Sequence, residues 1–260
     1  MKRSSSELKS IAREMLLGHY GIPMAAALLS LVIPSCVLWP FSYLSDDLYS
    51  LSSQTIIYYA ASILVSLLQV PFIAGVFRIH LQIGRNKPYK LMDVFYFFKN
   101  HPDRFLIGGL LLYLLQLLPF LPALIYYLLF RKTVSSYAIR IGIFILLLIA
   151  GAILSCYLQI CFALVILLYA DCEEYGVLEA FKQSSLFMSG HKFRYFTMIL
   201  SFLGWLLLSI LSIGIGFLWI QPYMNQTIVN FYLDLKHEFD VQLDISKDAL
   251  DHIQSTSELN

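Results

Sequence analysis

The stretch that decides the fold is residues 141–170, IGIFILLLIAGAILSCYLQICFALVILLYA, which contains no charged side chain. A helix needs about 20 apolar residues to cross a hydrocarbon core about 30 Å thick. The whole chain shares this character, because 58% of its 260 residues are hydrophobic and 13% are charged. Soluble domains average about 25% charged residues. A soluble fold of this length could not bury so much apolar surface, so the stretch predicts a membrane-spanning helix.

Four further uncharged segments lie on either side of residues 141–170. They are residues 20–45, 48–77, 105–130 and 195–233. The last would form about 58 Å of helix at about 1.5 Å per residue, which is too long for one crossing. The sequence Gly214-Ile215-Gly216 predicts a turn that divides it. We therefore predict an all-α, polytopic membrane helix bundle with six transmembrane helices, of which the fourth, residues 141–170, is uninterrupted.

The distribution of Lys and Arg predicts the orientation of the chain in the membrane. Fifteen of the 18 basic residues lie before the first helix, after the second and fourth helices, and in the tail. Cytoplasmic loops are enriched in Lys and Arg, so both termini are expected to be cytoplasmic. Arg131, Lys132 and Arg140 are the exceptions. A re-entrant segment at Pro119 and Pro122 would bring these three inside but would place five others outside, so six crossings are preferred.

Three segments that precede the odd-numbered helices resemble one another. They are residues 7–19 (ELKSIAREMLLGH), 89–101 (YKLMDVFYFFKNH) and 178–191 (LEAFKQSSLFMSGH). Apolar residues recur on one helical face of each, as in an amphipathic helix. Each segment ends in Gly or Asn followed by His, and Gly or Asn commonly ends a helix in a left-handed conformation. The pattern predicts three transmembrane hairpins, each preceded by an amphipathic interfacial helix.

Composition and motifs also limit which functions the chain can have. Residues 1–237 are expected to form the transmembrane domain, and residues 238–260 an acidic cytoplasmic tail. The net charge of +1 argues neither for nor against a nucleic-acid partner, and we expect none. The four cysteines lack CxxC spacing, so we expect neither a disulfide nor a metal site. We find no nucleophile elbow, Walker loop or HExxH motif, and we expect no catalytic residue and no cofactor.

Histidines at matching positions of the repeat are candidate contacts for lipid headgroups. With neighbouring cations, the candidates are His19, His101, Arg104, His191, Lys192 and Arg194. All lie near the expected inner surface, where each basic residue adds about 1 kcal/mol of attraction to anionic lipid. Simple anchoring at the interface is the alternative, and it is favoured.

Amides are the strongest polar groups within the predicted spans, whose cores carry no charge. Proton relays usually need a titratable group there, so such a mechanism is not expected. A candidate intramembrane polar site comprises Gln69, Gln159, Gln221 and Asn225. Breaks expected at Pro71 and Pro222 would open the helices beside it. Hydrogen bonding between helices is the simpler interpretation of these amides, and it is favoured.

Several short motifs carry a resemblance to a known family. They are residues 8–13 (LKSIAR) with Gly18, 186–192 (LFMSGHK), 202–205 (FLGW), 214–219 (GIGFLW), 222–223 (PY) and 231–232 (FY). On these residues, over about residues 5–237, the chain resembles the bacterial integral membrane proteins of domain-of-unknown-function family 975. That family is related to the membrane domain of some glycerophosphodiester phosphodiesterases. The resemblance implies a multi-pass plasma-membrane protein and supplies no catalytic residue.

Three functions follow as hypotheses. The leading one is a non-enzymatic, multi-pass plasma-membrane protein that engages inner-leaflet lipid, or a membrane protein partner including a second copy of itself. The alternative is a small-solute or lipid transporter with an amide-lined intramembrane cavity. A membrane-embedded enzyme is the least favoured of the three.

Overall fold

The computed structural model describes residues 3–43, 53–130 and 136–258, and within these ranges every regular element is a helix. The α-helices are α1 (Ser5–Leu16), α2 (Gly21–Ser42), α3 (Ser53–Gly84), α4 (Tyr96–Lys99), α5 (Pro102–Leu117), α6 (Leu121–Phe130), α7 (Tyr137–Cys161), α8 (Val165–Asp171), α9 (Val177–Phe187), α10 (Lys192–Leu200), α11 (Leu203–Leu211) and α12 (Phe217–Glu258). Short 3-10 helices, Leu91–Phe95 and Leu118–Phe120, precede α4 and α6.

Five stretches of the described chain are long and apolar enough to cross a membrane. They are Gly21–Ser42, Ser53–Gly84, Pro102–Leu129, Tyr137–Asp171 and Lys192–Leu211. Few of their residues are buried by protein, and the buried share of an 18-residue apolar window falls from 33% in Ser53–Gly84 to 6% in Tyr137–Asp171. Apolar surface on this scale is suited to lipid rather than to water. The prediction of an α-helical membrane protein is therefore confirmed.

The sixth predicted crossing coincides with the first half of α12, which is not among these five stretches. Its amides, which include Gln226 and Asn230, lower its hydropathy. The turn before it is confirmed, because Ile213 and Gly214 have φ angles of 54° and 84° between α11 and α12. The six-helix arrangement stays a prediction. The expected domain boundary after residue 237 also stays a prediction, and α12 continues through that point.

The continuity of three predicted spans differs from expectation. Residues 141–170 are interrupted, because α7 ends at Cys161 and α8 begins at Val165. The hydroxyl of Ser184 donates to the carbonyl of Cys161 at 3.1 Å and so satisfies an acceptor at the end of α7. The expected breaks at Pro71 and Pro222 are wrong, since α3 and α12 continue through both prolines. Proline within a membrane helix is tolerated where neighbouring groups satisfy the freed carbonyl.

The repeat is only partly realised. Gly18 and Gly190 both have a φ of 77°, as predicted for left-handed caps. The middle segment forms a 3-10 helix and the single-turn α4 instead of one amphipathic helix. Its left-handed residue is His101 (φ 54°), whereas Asn100 is extended. The amide of Asn100 donates to the carbonyl of Tyr96 at 3.1 Å, so Asn100 caps α4 without the left-handed turn.

The chain forms two compact units. The first unit comprises Met1–Leu29, Val76–Asp93 and Phe193–Asn260, and the second comprises Ser30–Gly75 and Val94–Lys192.

Within the first unit, α1 packs against α12. The apolar stripe of α1, Leu8, Ala12 and Leu16, is fully buried. This stripe was expected to lie on lipid and is instead covered by protein, because α1 packs against α12.

Candidate functional site

A groove of about 660 Å³ lies in the second unit between α5 and α9. Its apolar lining comprises Leu111, Leu115, Phe162, Leu178, Phe181 and Leu186, and its polar lining comprises Lys182, Ser185 and Ser189. Phe162 reaches the groove from the interruption between α7 and α8. An apolar groove with one cation and two hydroxyls fits a ligand that has an alkyl portion and an anionic portion.

The sequence of α9 separates two faces. Ala180, Ser184 and Phe187 are buried on one face. Two polar residues that line the groove, Lys182 and Ser185, are three apart in α9 and so lie on one side of the helix. The third, Ser189, lies in the turn that follows α9. Glu179 in the first turn suits the positive end of the helix dipole. The amphipathic character predicted for this segment therefore directs a row of polar groups into the groove.

Lys182 is exposed and makes neither an ion pair nor a hydrogen bond with any residue in the described ranges. Its ammonium is therefore available to an anion, and Ser185 and Ser189 can add hydroxyl donors. Lys182 belongs to the basic residues of the expected inner side but is not one of the predicted headgroup contacts. It does not occupy the histidine position of the repeat, and only the groove identifies it.

Arg104, a predicted headgroup contact, is buried beneath the turn that leads into α9. Its Nη2 donates to the carbonyl of Tyr169 at 2.9 Å. Its Nη1 donates to the carbonyls of Cys172 at 3.3 Å, of Glu173, and of Tyr175 at 3.1 Å. A cation at the C-terminus of α8 stabilises the helix dipole and satisfies carbonyls that lack helical partners. These contacts give Arg104 a structural role, holding the segment between α8 and α9.

The other predicted residues of the second unit are scattered. His101 is exposed at the N-cap of α5, and His191 is half-buried. The Nζ of Lys192 donates to the hydroxyl of Tyr157 at 2.7 Å and lies 4.6 Å from the centre of that ring. The headgroup role of these residues stays a prediction.

In the first unit, Arg194 is the best-fixed of the predicted headgroup contacts. Its Nη2 lies 2.5 Å from Oδ2 of Asp234, and the two side chains are 17% and 11% exposed. The same Nη2 donates to the carbonyl of Arg3 at 2.5 Å. Arg194 therefore joins α10 to α12 and to the N-terminal segment. His19 is exposed, and its ring centre lies 6.4 Å from that of Tyr89.

The four amides of the predicted intramembrane site are divided between the units. Gln69 is half-buried and Gln159 is exposed in the second unit, whereas Gln221 and Asn225 are half-buried in the first. A cavity of about 230 Å³ between α3 and α5 is lined by Gln116. The Oε1 of Gln116 accepts from the hydroxyl of Ser155 at 2.5 Å, which is the interhelical bonding that the simpler interpretation predicts.

A buried polar chain in the first unit was missed by the sequence analysis. The Nδ1 of His80 lies 2.9 Å from Oε1 of Gln226. The Nε2 of Gln226 donates to Oδ1 of Asn230 at 3.1 Å, and Asn230 donates to the carbonyl of Leu8 at 3.5 Å. An amide oxygen only accepts, so Nδ1 of His80 carries the proton. The chain joins α3, α12 and α1.

His80 escaped notice because Arg78 ends the second uncharged segment. The segment was therefore assigned to a loop after Phe77, although α3 continues to Gly84. Residues 78–84 (RIHLQIG) alternate single polar and apolar residues, a pattern typical of a strand rather than of a helix, so periodicity does not identify His80 as part of α3.

The polar side of α1 also meets protein. The Nζ of Lys9 lies 4.0 Å from the centre of the Phe202 ring, and burial lowers the pKa of Lys9 below its ordinary value of 10.5. Burial raises the pKa of Tyr20 above its ordinary value of 10.0, with a further rise from Tyr223 and an opposing effect from Arg13. The contact between Lys9 and Phe202 holds α1 against the rest of the first unit.

Comparison with known proteins identifies the family of the chain. Neither the curated proteins nor the solved structures contain a protein that matches this chain. One family model matches residues 1–238, nearly the whole chain, and its description is "Protein of unknown function (DUF975)". The chain belongs to this family of proteins of unknown function.

Proposed function

We propose that this chain is a non-enzymatic, multi-pass protein of the bacterial plasma membrane that binds a phospholipid of the inner leaflet in the groove between α5 and α9. The observation that carries the proposal is Lys182, which has no partner among the described residues and lies beside Ser185 and Ser189 in a groove whose remaining lining is apolar. Lysine binds phosphate as a point charge, and hydroxyls donate to phosphate oxygens. Leu111, Phe162 and the other apolar residues would contact an acyl chain.

The proposed topology has six crossings arranged as three hairpins, with both termini in the cytoplasm. Its support is the excess of Lys and Arg on one side and the left-handed turn at Ile213 and Gly214. The relation to the membrane domain of glycerophosphodiester phosphodiesterases remains a hypothesis and is compatible with a lipid ligand. Phosphatase and fluorescent-protein fusions after residues 136 and 240 test the topology. A C-terminal phosphatase that is active outside the cell would contradict it.

Lipid retention tests the groove. The full-length protein, reconstituted with phosphatidylglycerol and phosphatidylcholine and then purified in mild detergent, is analysed for bound lipid by mass spectrometry. We expect Lys182→Gln to retain about tenfold less phosphatidylglycerol, and Lys182→Glu less still, since a charge-assisted hydrogen bond contributes about 1.5–3 kcal/mol. Lys99→Gln is the matched control, because Lys99 is also exposed in the second unit and does not line the groove.

A variant and its control test whether the apolar part of the groove holds an acyl chain. Leu115 lines the groove, whereas its neighbour Leu114 is 48% exposed and does not. Leu115→Trp should fill the groove and reduce retention of both lipids, and Leu114→Trp should retain them. Equal phosphatidylglycerol retention by Lys182→Gln and Lys99→Gln would reject the proposal.

A further inference from the structure

A second pocket, of about 490 Å³, lies in the first unit between two turns. Glu14, near the end of α1, and His19, in the turn that follows α1, lie on one side. The segment after α3 supplies Asn86, Lys87 and Tyr89. All of these residues belong to the first unit, so the pocket is independent of the groove proposed above.

The backbone fixes both turns. Gly18 has a φ of 77°, and the amide of His19 donates to the carbonyl of Leu16 at 2.9 Å. Asn86 has a φ of 53°, and the amide of Lys87 donates to the carbonyl of Gln82 at 2.8 Å. The positions of His19 and Lys87 are therefore set by main-chain hydrogen bonds.

The floor of the pocket is joined to the buried polar chain. Met15 lines the pocket, and its Sδ lies 3.8 Å from Nε2 of Gln226. The pocket is thus built against α12.

Charges of both signs line this pocket without pairing. Glu14, His19 and Lys87 form no ion pair with one another or with any other residue in the described ranges. Lys87, His19 and the amide of Asn86 can donate to an anion, while the carboxylate of Glu14 can accept from an ammonium. A ligand that carries both an anionic group and an amine would satisfy both halves.

The position of the pocket relative to the ends of two spans indicates which kind of anion it would bind. The span Gly21–Ser42 begins two residues after His19, and the span Ser53–Gly84 ends two residues before Asn86. The pocket therefore lies at the level where an apolar span meets water, which is where lipid phosphates lie. We infer that this pocket binds a phosphate ester that bears a primary amine, with Lys87 and His19 at the phosphate and Glu14 at the ammonium.

Calorimetric titration of the full-length protein in detergent tests this inference. The soluble probe is phosphoethanolamine, with inorganic phosphate and ethanolamine as its separate halves, and the lipid probe is phosphatidylethanolamine in mixed micelles. We expect phosphoethanolamine, phosphatidylethanolamine or both to bind more tightly than either half alone. Which of the two binds identifies the source of the ligand.

Substitution of Lys87 and of Glu14 tests which group of the ligand each side chain contacts. Lys87→Gln should weaken binding about tenfold or more, from the loss of one charge-assisted hydrogen bond. Glu14→Gln should remove the preference for phosphoethanolamine over inorganic phosphate. Lys99→Gln, in the other unit and in neither lining, should bind phosphoethanolamine as the unchanged protein does. Retention of phosphatidylglycerol by Lys182→Gln reports on the groove and binding of phosphoethanolamine by Lys87→Gln reports on this pocket, so failure of the proposed groove and failure of this pocket are distinguishable. No binding of either probe, or binding that neither variant alters, would overturn the inference.

Discussion

The imidazole Nδ1 of His80 donates to the amide oxygen of Gln226 at 2.9 Å, and both side chains are fully buried. The pair lies at one end of a chain of hydrogen bonds that continues through Asn230 to the carbonyl of Leu8. Every step runs in the same direction, with each amide accepting at oxygen and donating at nitrogen. The amphipathic α1 is thereby joined to two longer helices by polar contacts as well as by its apolar stripe.

Replacing one member of the pair should destabilise the protein. His80→Leu leaves the oxygen of Gln226 buried without its donor, which costs about 1–3 kcal/mol. Gln226→Leu removes the partner of His80, with a loss of similar size. The double variant should lose less than the sum of the two, since contacting residues are coupled by about 0.5–3 kcal/mol. Unfolding in detergent, followed by circular dichroism, gives all three values.

Gln159→Leu serves as the control for this cycle, because Gln159 is exposed and has no hydrogen-bond partner among the described residues. It should unfold as the unchanged protein does. Strictly additive losses for His80→Leu and Gln226→Leu would contradict the hydrogen bond.

Arg104→Lys should also be destabilising, although it conserves charge. The planar guanidinium contacts four carbonyls around the end of α8, and a single ammonium cannot reproduce that fork. We expect a loss of about 2 kcal/mol or more, the value of one or two charge-assisted hydrogen bonds. Thermal unfolding in detergent measures it. Arg13→Lys is the matched control, since Arg13 is exposed, and equal melting temperatures for the two variants would contradict the structural role of Arg104.

The membrane fold is largely readable from the sequence, because apolar length and the absence of charge depend on local composition alone. The turn at Gly214 and the left-handed Gly18 and Gly190 were predicted for the same reason. The interruption after Cys161 was not, and the hydroxyl that bonds to the Cys161 carbonyl there comes from Ser184 in α9, 23 residues away. Tertiary hydrogen bonds of this kind leave no mark on the periodicity of one helix.

The candidate sites are harder to predict from the sequence than the membrane fold is. Lys182 and Lys87 look like ordinary basic residues of an inner loop, and only the cavities that they line distinguish them. Arg104 is the opposite case, a residue that the sequence singles out and the structure does not place at a site. Its position near His101 suggested lipid contact, yet its guanidinium is surrounded by protein carbonyls. The direction of a side chain depends on tertiary packing, which the pattern of charges along the chain does not specify.

Close packing at one glycine provides a third test. A Cβ at Gly75 would lie 2.2 Å from the carbonyl oxygen of Val94, and a backbone atom cannot move aside as a flexible side chain can. Gly75→Ala should therefore destabilise the second unit by about 1–3 kcal/mol or more, the range for overpacking. Gly142→Ala is the control, because nothing lies within 4 Å of its Cβ position in α7. It should be neutral or slightly stabilising, since alanine favours a helix. Equal unfolding free energies would contradict the close approach of Val94 to α3.

Substitution of a buried residue in α1 distinguishes contact with lipid from contact with protein. Ala12 is fully buried in the apolar stripe of α1, whereas Leu17, just beyond the helix, is 64% exposed. If the stripe faced the leaflet, Ala12→Phe would add apolar surface to the lipid contact and would strengthen it. Because α12 covers the stripe, the larger ring should clash and cost about 1–3 kcal/mol. Leu17→Phe should leave the unfolding free energy unchanged. An Ala12→Phe variant as stable as the unchanged protein would indicate that α1 lies on the membrane surface and not against α12.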